Sequence, residues 1–139
     1  MALDLSVSNV SAWSEAGYEF EVVIPGTYEG TGAFIKVRGV ESKIAKTYLR
    51  KKFLEYQREE LAKARNKNKQ KDDVKTIEQL EEENTELAIT RIISWRGFME
   101  DGKELPFTQE NAYRVLAEHS WLRDLVLENS AEVSNFRPE

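Results

Sequence analysis

A chain of 139 residues, 40% apolar and 32% charged, is long enough to enclose one hydrophobic core and too apolar to stay unfolded throughout. It has no cysteine and one histidine, which excludes a disulfide framework, a thiolate metal site and a multi-histidine zinc site. The net charge of -5 hides a division: residues 43–71 carry eleven Lys and Arg against Glu55, Glu59 and Glu60, so the rest is strongly acidic. Such a chain suits an oppositely charged partner or another copy of itself.

The opening MALDLSVSNVSAWSEAG lacks the basic start and apolar run of a signal peptide, and no segment approaches the roughly 20 apolar residues of a membrane span. A soluble cytoplasmic protein is the expectation. In YEFEVVI, Tyr18, Phe20 and Val22 alternate with Glu19 and Glu21, which predicts a strand. The turn-rich PGTYEGTG and a second alternating run, AFIKVRGV, complete a β-hairpin or small sheet over residues 1–40. Gly26, Gly30 and Gly32 do not make a phosphate loop, because no Gly-Lys-Ser/Thr closes it and a strand follows.

From Ser42 the period becomes helical. Ile44, Tyr48, Leu49, Phe53, Tyr56 and Leu61 recur on one side, which predicts an amphipathic helix with a buried aromatic stripe, started by Glu41 or Ser42. KARNKNKQKDD then reads as a mobile, basic connector near residues 63–73. Its lack of aromatic side chains argues against base stacking, so a nucleic-acid role is the rival reading, not the main one. Asp73 is a candidate cap for the next helix, with Ile77, Leu80, Leu87, Ala88, Ile92 and Trp95 on its apolar face. The Ile77, Leu80, Asn84, Leu87 spacing has a coiled-coil rhythm, suited to core packing or to self-association.

Gly97 is a candidate C-cap for that helix, Asp101-Gly102 a turn, and Pro106 with Thr108 the entry to a third helix. That helix carries Ala112, Val115, Leu116 and, at its end, a partly buried His119. A last helix from Ser120 carries Trp121, Leu122, Leu125, Val126 and Leu127, before a polar tail anchored by Phe136. The fold class predicted is α+β, mainly α: a short N-terminal hairpin followed by about four helices over residues 41–139, in one compact unit. The serines near His119 occupy cap or tail positions, no Gly-x-Ser-x-Gly elbow exists, and QLEEENTEL lacks the alternating ligands of a calcium loop. No catalytic, cofactor or metal residue is assigned, and the chain reads as a non-enzyme.

The segment SWRGFMEDGKELPFTQENAYRVLAEHSWLRDLVLENSAEVSNF resembles tail assembly chaperones of long-tailed bacteriophages. The matching positions are Trp95 and Gly97; Asp101, Gly102 and Lys103; Leu105, Pro106, Phe107, Thr108, Glu110, Asn111 and Ala112; Leu122, Arg123, Leu125 and Val126; Asn135 and Phe136. FIKVRGVESKIAKTY is similar, more loosely, to that family's entry from an extended segment into a helix. The resemblance implies a mostly helical homo-oligomer in the host cytoplasm, absent from the mature virion. It would bind the tape measure protein and help recruit tail tube subunits during virion morphogenesis, without nucleotide. Trp95, Gly97, Gly102, Pro106 and Thr108 form the structural joint in this reading. Phe98 and Phe107 beside it, and Tyr48, Phe53 and Tyr56 on the aromatic helix, are the candidate partner-binding residues. A non-enzymatic adaptor or nucleic-acid-associated regulator using residues 43–71 is the alternative.

Overall fold

The computed structural model describes residues 2–65 and 75–138. Much of the expected mobile connector, and the candidate cap Asp73, lie outside the described residues. Among these residues the fold is α+β and mainly α, with five α-helices and two small antiparallel sheets. A helix that the sequence reading did not foresee, α1 (Val10–Ala16), precedes the hairpin. Its Asn9 side chain accepts from the Ala12 amide, and Gly17 closes it at φ +85°.

Strands β1 (Tyr18–Val23) and β2 (Gly30–Val37) form the expected hairpin, with Phe20 paired to Ile35 and Tyr18 to Val37. Phe20, Val22, Ile35 and Val37 are buried, and the intervening charges face out, as strict alternation requires. The sheet has a third member, β3 (Ile92–Arg96), beside β2. This corrects the sequence reading, which carried the preceding helix through Ile92 to Trp95. The cause is a β-bulge. The register shifts between Lys36 and Val37, leaving Ile93 unpaired between Ser94 and Ile92. Ile92 and Trp95 therefore both reach the core although three residues apart, a spacing that mimics a helix.

Helix α2 (Lys43–Arg65) begins at Ser42, whose hydroxyl accepts from the Ala45 amide. The Glu15 carboxylate from α1 accepts from the Lys43 amide, placing negative charge at the helix N-terminus. Helix α3 (Ile77–Arg91) is capped by Thr76, which with Gln79 forms a capping box. Its core face is Thr85, Ala88 and Ile89. The expected apolar face is turned outward at its start: Ile77 and Leu80 are exposed.

A two-residue hairpin follows, β4 (Met99–Glu100) and β5 (Lys103–Glu104), closed by Asp101 and Gly102 at φ +52° and +77°. Two consecutive positive φ values are the mark of a type I′ turn. Helices α4 (Gln109–Glu118) and α5 (Ser120–Ala131) then pack over α3 and the sheet, and a 3₁₀ turn, Val133–Phe136, ends the fold. Phe136 is buried against Tyr18, ring edge to face at 6.1 Å, so the tail anchor joins the last element to the first strand. His119 separates α4 from α5 at φ -120°, ψ 80° and is exposed, not partly buried.

A network of arginines locks the junction of sheet and helices. Arg91, buried at the end of α3, donates to the Ser130 hydroxyl at 3.2 Å, and that hydroxyl donates to the Arg38 carbonyl at 2.6 Å. The Arg38 guanidinium donates to the carbonyls of Thr90 and Ile92 at 2.6 and 3.2 Å. Burial lowers the pKa of both arginines, as expected where charge is removed from water.

Candidate partner-binding surface

Two places collect the residues singled out in the sequence, and the structure treats them oppositely. At the joint, Trp95 is 8% exposed and its indole Nε1 donates to the Leu105 carbonyl at 2.9 Å. Phe98 stacks on it at 4.4 Å with 10° between the rings, and Phe107 meets it edge-on at 5.2 Å. Such contacts add about 0.5–1.5 kcal/mol each beyond area burial. The Leu105 amide donates to the Phe98 carbonyl at 2.8 Å, closing the loop across the small hairpin. Phe98 and Phe107 are thus half-buried flanks of Trp95, not a free ledge.

Each remaining joint residue has a local task. The Thr108 hydroxyl accepts from the Asn111 amide at 3.0 Å, and Asn111 Nδ2 donates to the Pro106 carbonyl at 3.0 Å. Arg114 donates twice to Glu100, at 2.8 and 3.1 Å, tying α4 to β4. This hydrogen bonding holds the Glu100 carboxyl below its ordinary pKa. Gly97 is not a helix cap. It sits at φ +78° after β3, and a Cβ there would lie 2.3 Å from the Gly32 carbonyl oxygen. The strand end needs glycine for this close approach to β2.

The aromatic helix is the larger surprise. The buried stripe expected on α2 is on the outside: Ile44 and Leu49 are each 49% exposed, Phe53 59%, Tyr56 57% and Leu61 62%. Ala45 is the buried residue of this helix. The segment is helical as its period predicts, but the core is already filled by the three-stranded sheet, α3, α4 and α5. Helix α2 instead packs along α3 as an antiparallel hairpin, with Lys52 reaching Glu86 at 3.5 Å. Lys75, before α3, bonds Glu83 at 2.8 and 3.0 Å.

Between the two helices runs an open groove of about 230 Å³, lined by Tyr48, Leu49, Lys52, Tyr56, Asn84 and Leu87 among others. Tyr48 is half-buried there, and burial raises its pKa against the lowering effect of Lys52. Burial opposes the Lys52 charge, yet Tyr48, Glu55 and Glu86 together hold its pKa above the usual lysine value. Lys52 thus stands beside an apolar ridge. On the side of α2 away from α3 lies a row of exposed cations, Lys43, Arg50, Lys51, Arg58 and Arg65, within one face at 3.6 residues per turn.

Among the described residues no group of three or more His, Cys, Asp or Glu is placed to hold a metal ion, and no helix is long and apolar enough to cross a membrane. His119 faces the edge of Trp121 at 6.4 Å. The sequence reading missed the Arg38, Arg91 and Ser130 network, whose members are far apart in the chain and carry no periodic signal.

A family model described as YdaY prophage protein matches residues 49–139, more than half of the chain. Comparison with curated proteins and with solved structures finds no match.

Proposed function

The chain belongs to the YdaY prophage protein family, a phage-derived group, and on that premise we propose that it is a tail assembly chaperone: a non-catalytic protein that holds the tape measure protein and helps recruit tail tube subunits. It acts in the host cytoplasm and leaves before the virion is complete. The observation that carries this reading is the uncovered ridge Leu49, Phe53, Tyr56 on α2. A monomer gains nothing from three large apolar side chains left in water, whereas a holder of helical clients needs such a ridge. The dense charge around it keeps the free protein soluble. The resemblance of residues 94–136 to tail assembly chaperones supports the same class.

The test is co-expression with the tape measure protein of the same prophage, followed by pull-down. Phe53→Glu and Tyr56→Glu should abolish capture while leaving the helical content unchanged. Undiminished capture by both variants would refute the assignment. The outer basic row favours one rival, a nucleic-acid-associated regulator. Its signature is a gel shift whose affinity falls steeply with salt and is lost in Arg50→Glu/Arg58→Glu.

A further inference from the structure

The uncovered ridge of α2 has an internal symmetry. Leu49, Phe53 and Tyr56 are spaced by four and three residues, so they align along one side of the helix. The same rhythm reaches Lys46, three residues before Leu49, and Glu60, four residues after Tyr56. Lys46 thus stands seven residues before Phe53 and Glu60 seven after, with opposite charge. Both reach solvent, 50% and 48% exposed, and their ion pairs are with near neighbours in sequence: Lys46 with Glu41 at 2.8 Å, Glu60 with Lys63 at 3.4 Å.

We infer that a second copy of this chain covers the ridge, the two α2 helices crossing antiparallel on a two-fold axis at Phe53. A two-fold interface is self-complementary, so each residue before Phe53 meets the one equally far after it. Phe53 then packs on its own copy. Leu49 falls within about 1.5 Å along the axis of the partner's Tyr56, the rise of one residue. Lys46 falls opposite the partner's Glu60 at both ends. Parallel pairing would instead set Lys46 on Lys46 and Glu60 on Glu60. Sliding the antiparallel pair until Phe53 meets Tyr56 would set Lys46 on Lys63. Charge therefore selects the antiparallel direction and, of these two registers, the one centred on Phe53, where both ends gain an opposite-charge pair. The pairing is independent of which client the ridge takes, and it is tested with the protein alone.

The test uses charge reversal at exposed positions, with circular dichroism checking that each variant stays folded although it also loses its near-neighbour ion pair, read by sedimentation equilibrium at low and physiological salt. The wild-type chain should dimerise. Lys46→Glu and Glu60→Lys each create two like-charged facing pairs and should weaken the dimer about tenfold. An equimolar mixture of the two variants should recover it, because every facing pair in the mixed dimer is again opposite in charge. Phe53→Glu should be monomeric with unchanged circular dichroism. A monomeric wild type, single variants that dimerise like the wild type, or a mixture no tighter than its components would each overturn the inference.

Discussion

Two aromatic residues at similar helical-looking spacings, Trp95 and Phe53, should respond in opposite ways to truncation. Trp95 is 8% exposed, stacked on Phe98, met edge-on by Phe107, and bonded through Nε1 to the Leu105 carbonyl. Trp95→Ala removes the largest side chain of the joint and leaves a void beside two rings, a loss of about 3–5 kcal/mol. Against a total stability of roughly 5–15 kcal/mol, that is enough to unfold much of the population at modest denaturant. Trp95→Phe keeps much of the area but loses the indole donor, so it should cost about 0.5–1.5 kcal/mol for the hydrogen bond plus part of the packing. Phe53, at 59% exposure, should cost within about 0.5 kcal/mol when cut to alanine. The assay is urea denaturation followed by tryptophan fluorescence and circular dichroism. It should be run at two protein concentrations, because the proposed dimer would add concentration-dependent stability to the wild type. If Phe53→Ala at low concentration loses as much as Trp95→Ala, then α2 is a core helix and the exposed ridge is wrong. If Trp95→Ala costs under about 1 kcal/mol, the joint is not the lock described here.

Four further outcomes follow from single contacts. Thr108→Ala should cost about 1 kcal/mol in a urea midpoint, with Thr108→Ser close to wild type, because the hydroxyl bond to the Asn111 amide is what caps α4. Gly97→Ala should lose at least about 1–3 kcal/mol from backbone strain alone, and more from its clash with the Gly32 carbonyl; thermal melting reads this. Ser130→Ala should cost about 1–3 kcal/mol in the same urea assay, since it leaves the buried Arg91 guanidinium without its hydroxyl partner. The Glu100 carboxyl should titrate below the ordinary value of 4.5, and Arg114→Ala should return it upward, as followed by carbon-detected NMR. Because the folded pKa is depressed, the stabilisation from this pair is present above pH 4.5 and is lost as the pH falls through the lower, folded value.

How legible the fold was depended on where the burial signal came from. The hairpin was readable because Phe20 and Val22, and Val37 after Lys36, alternate with charges; the adjacent Phe34 and Ile35 left that point of the face open, and the pairing of Ile35 with Phe20 settles it. Thr108 was readable because its cap lies three residues from its partner amide. The strand β3 was not readable. The bulge at Ile93 gives Ile92 and Trp95 the three-residue spacing of a helix, and the partner strand is more than fifty residues away in the chain. The exposure of α2 was equally hidden. Periodicity reports that a face is apolar but does not report what covers it. The candidate surface residues divide along the same line: Phe53 and Tyr56 are open, Tyr48 is half-buried in the groove, and Phe98 and Phe107 belong to the joint.

The two halves of the molecule answer different physical demands. The sheet, α4 and α5 bury their apolar side chains within the chain, and even the tail residue Phe136 is used to fasten the last turn to β1. Helix α2 gives the core Ala45 and little else, although it is 23 residues long. Its support from α3 is the half-buried Tyr48 in the groove and the ion pair of Lys52 with Glu86, worth about 0.2–1 kcal/mol and screened by salt. A helix held so lightly draws much of its stability from packing of its apolar face, and that face is open. Covering Leu49, Phe53 and Tyr56, by a second copy or by a client helix, therefore does two things at once: it removes apolar surface from water and it fixes α2. The same ridge cannot serve both occupants together. On the two proposals taken together, a client would compete with the second copy, and the strength of the self-pairing would set how tightly it has to bind.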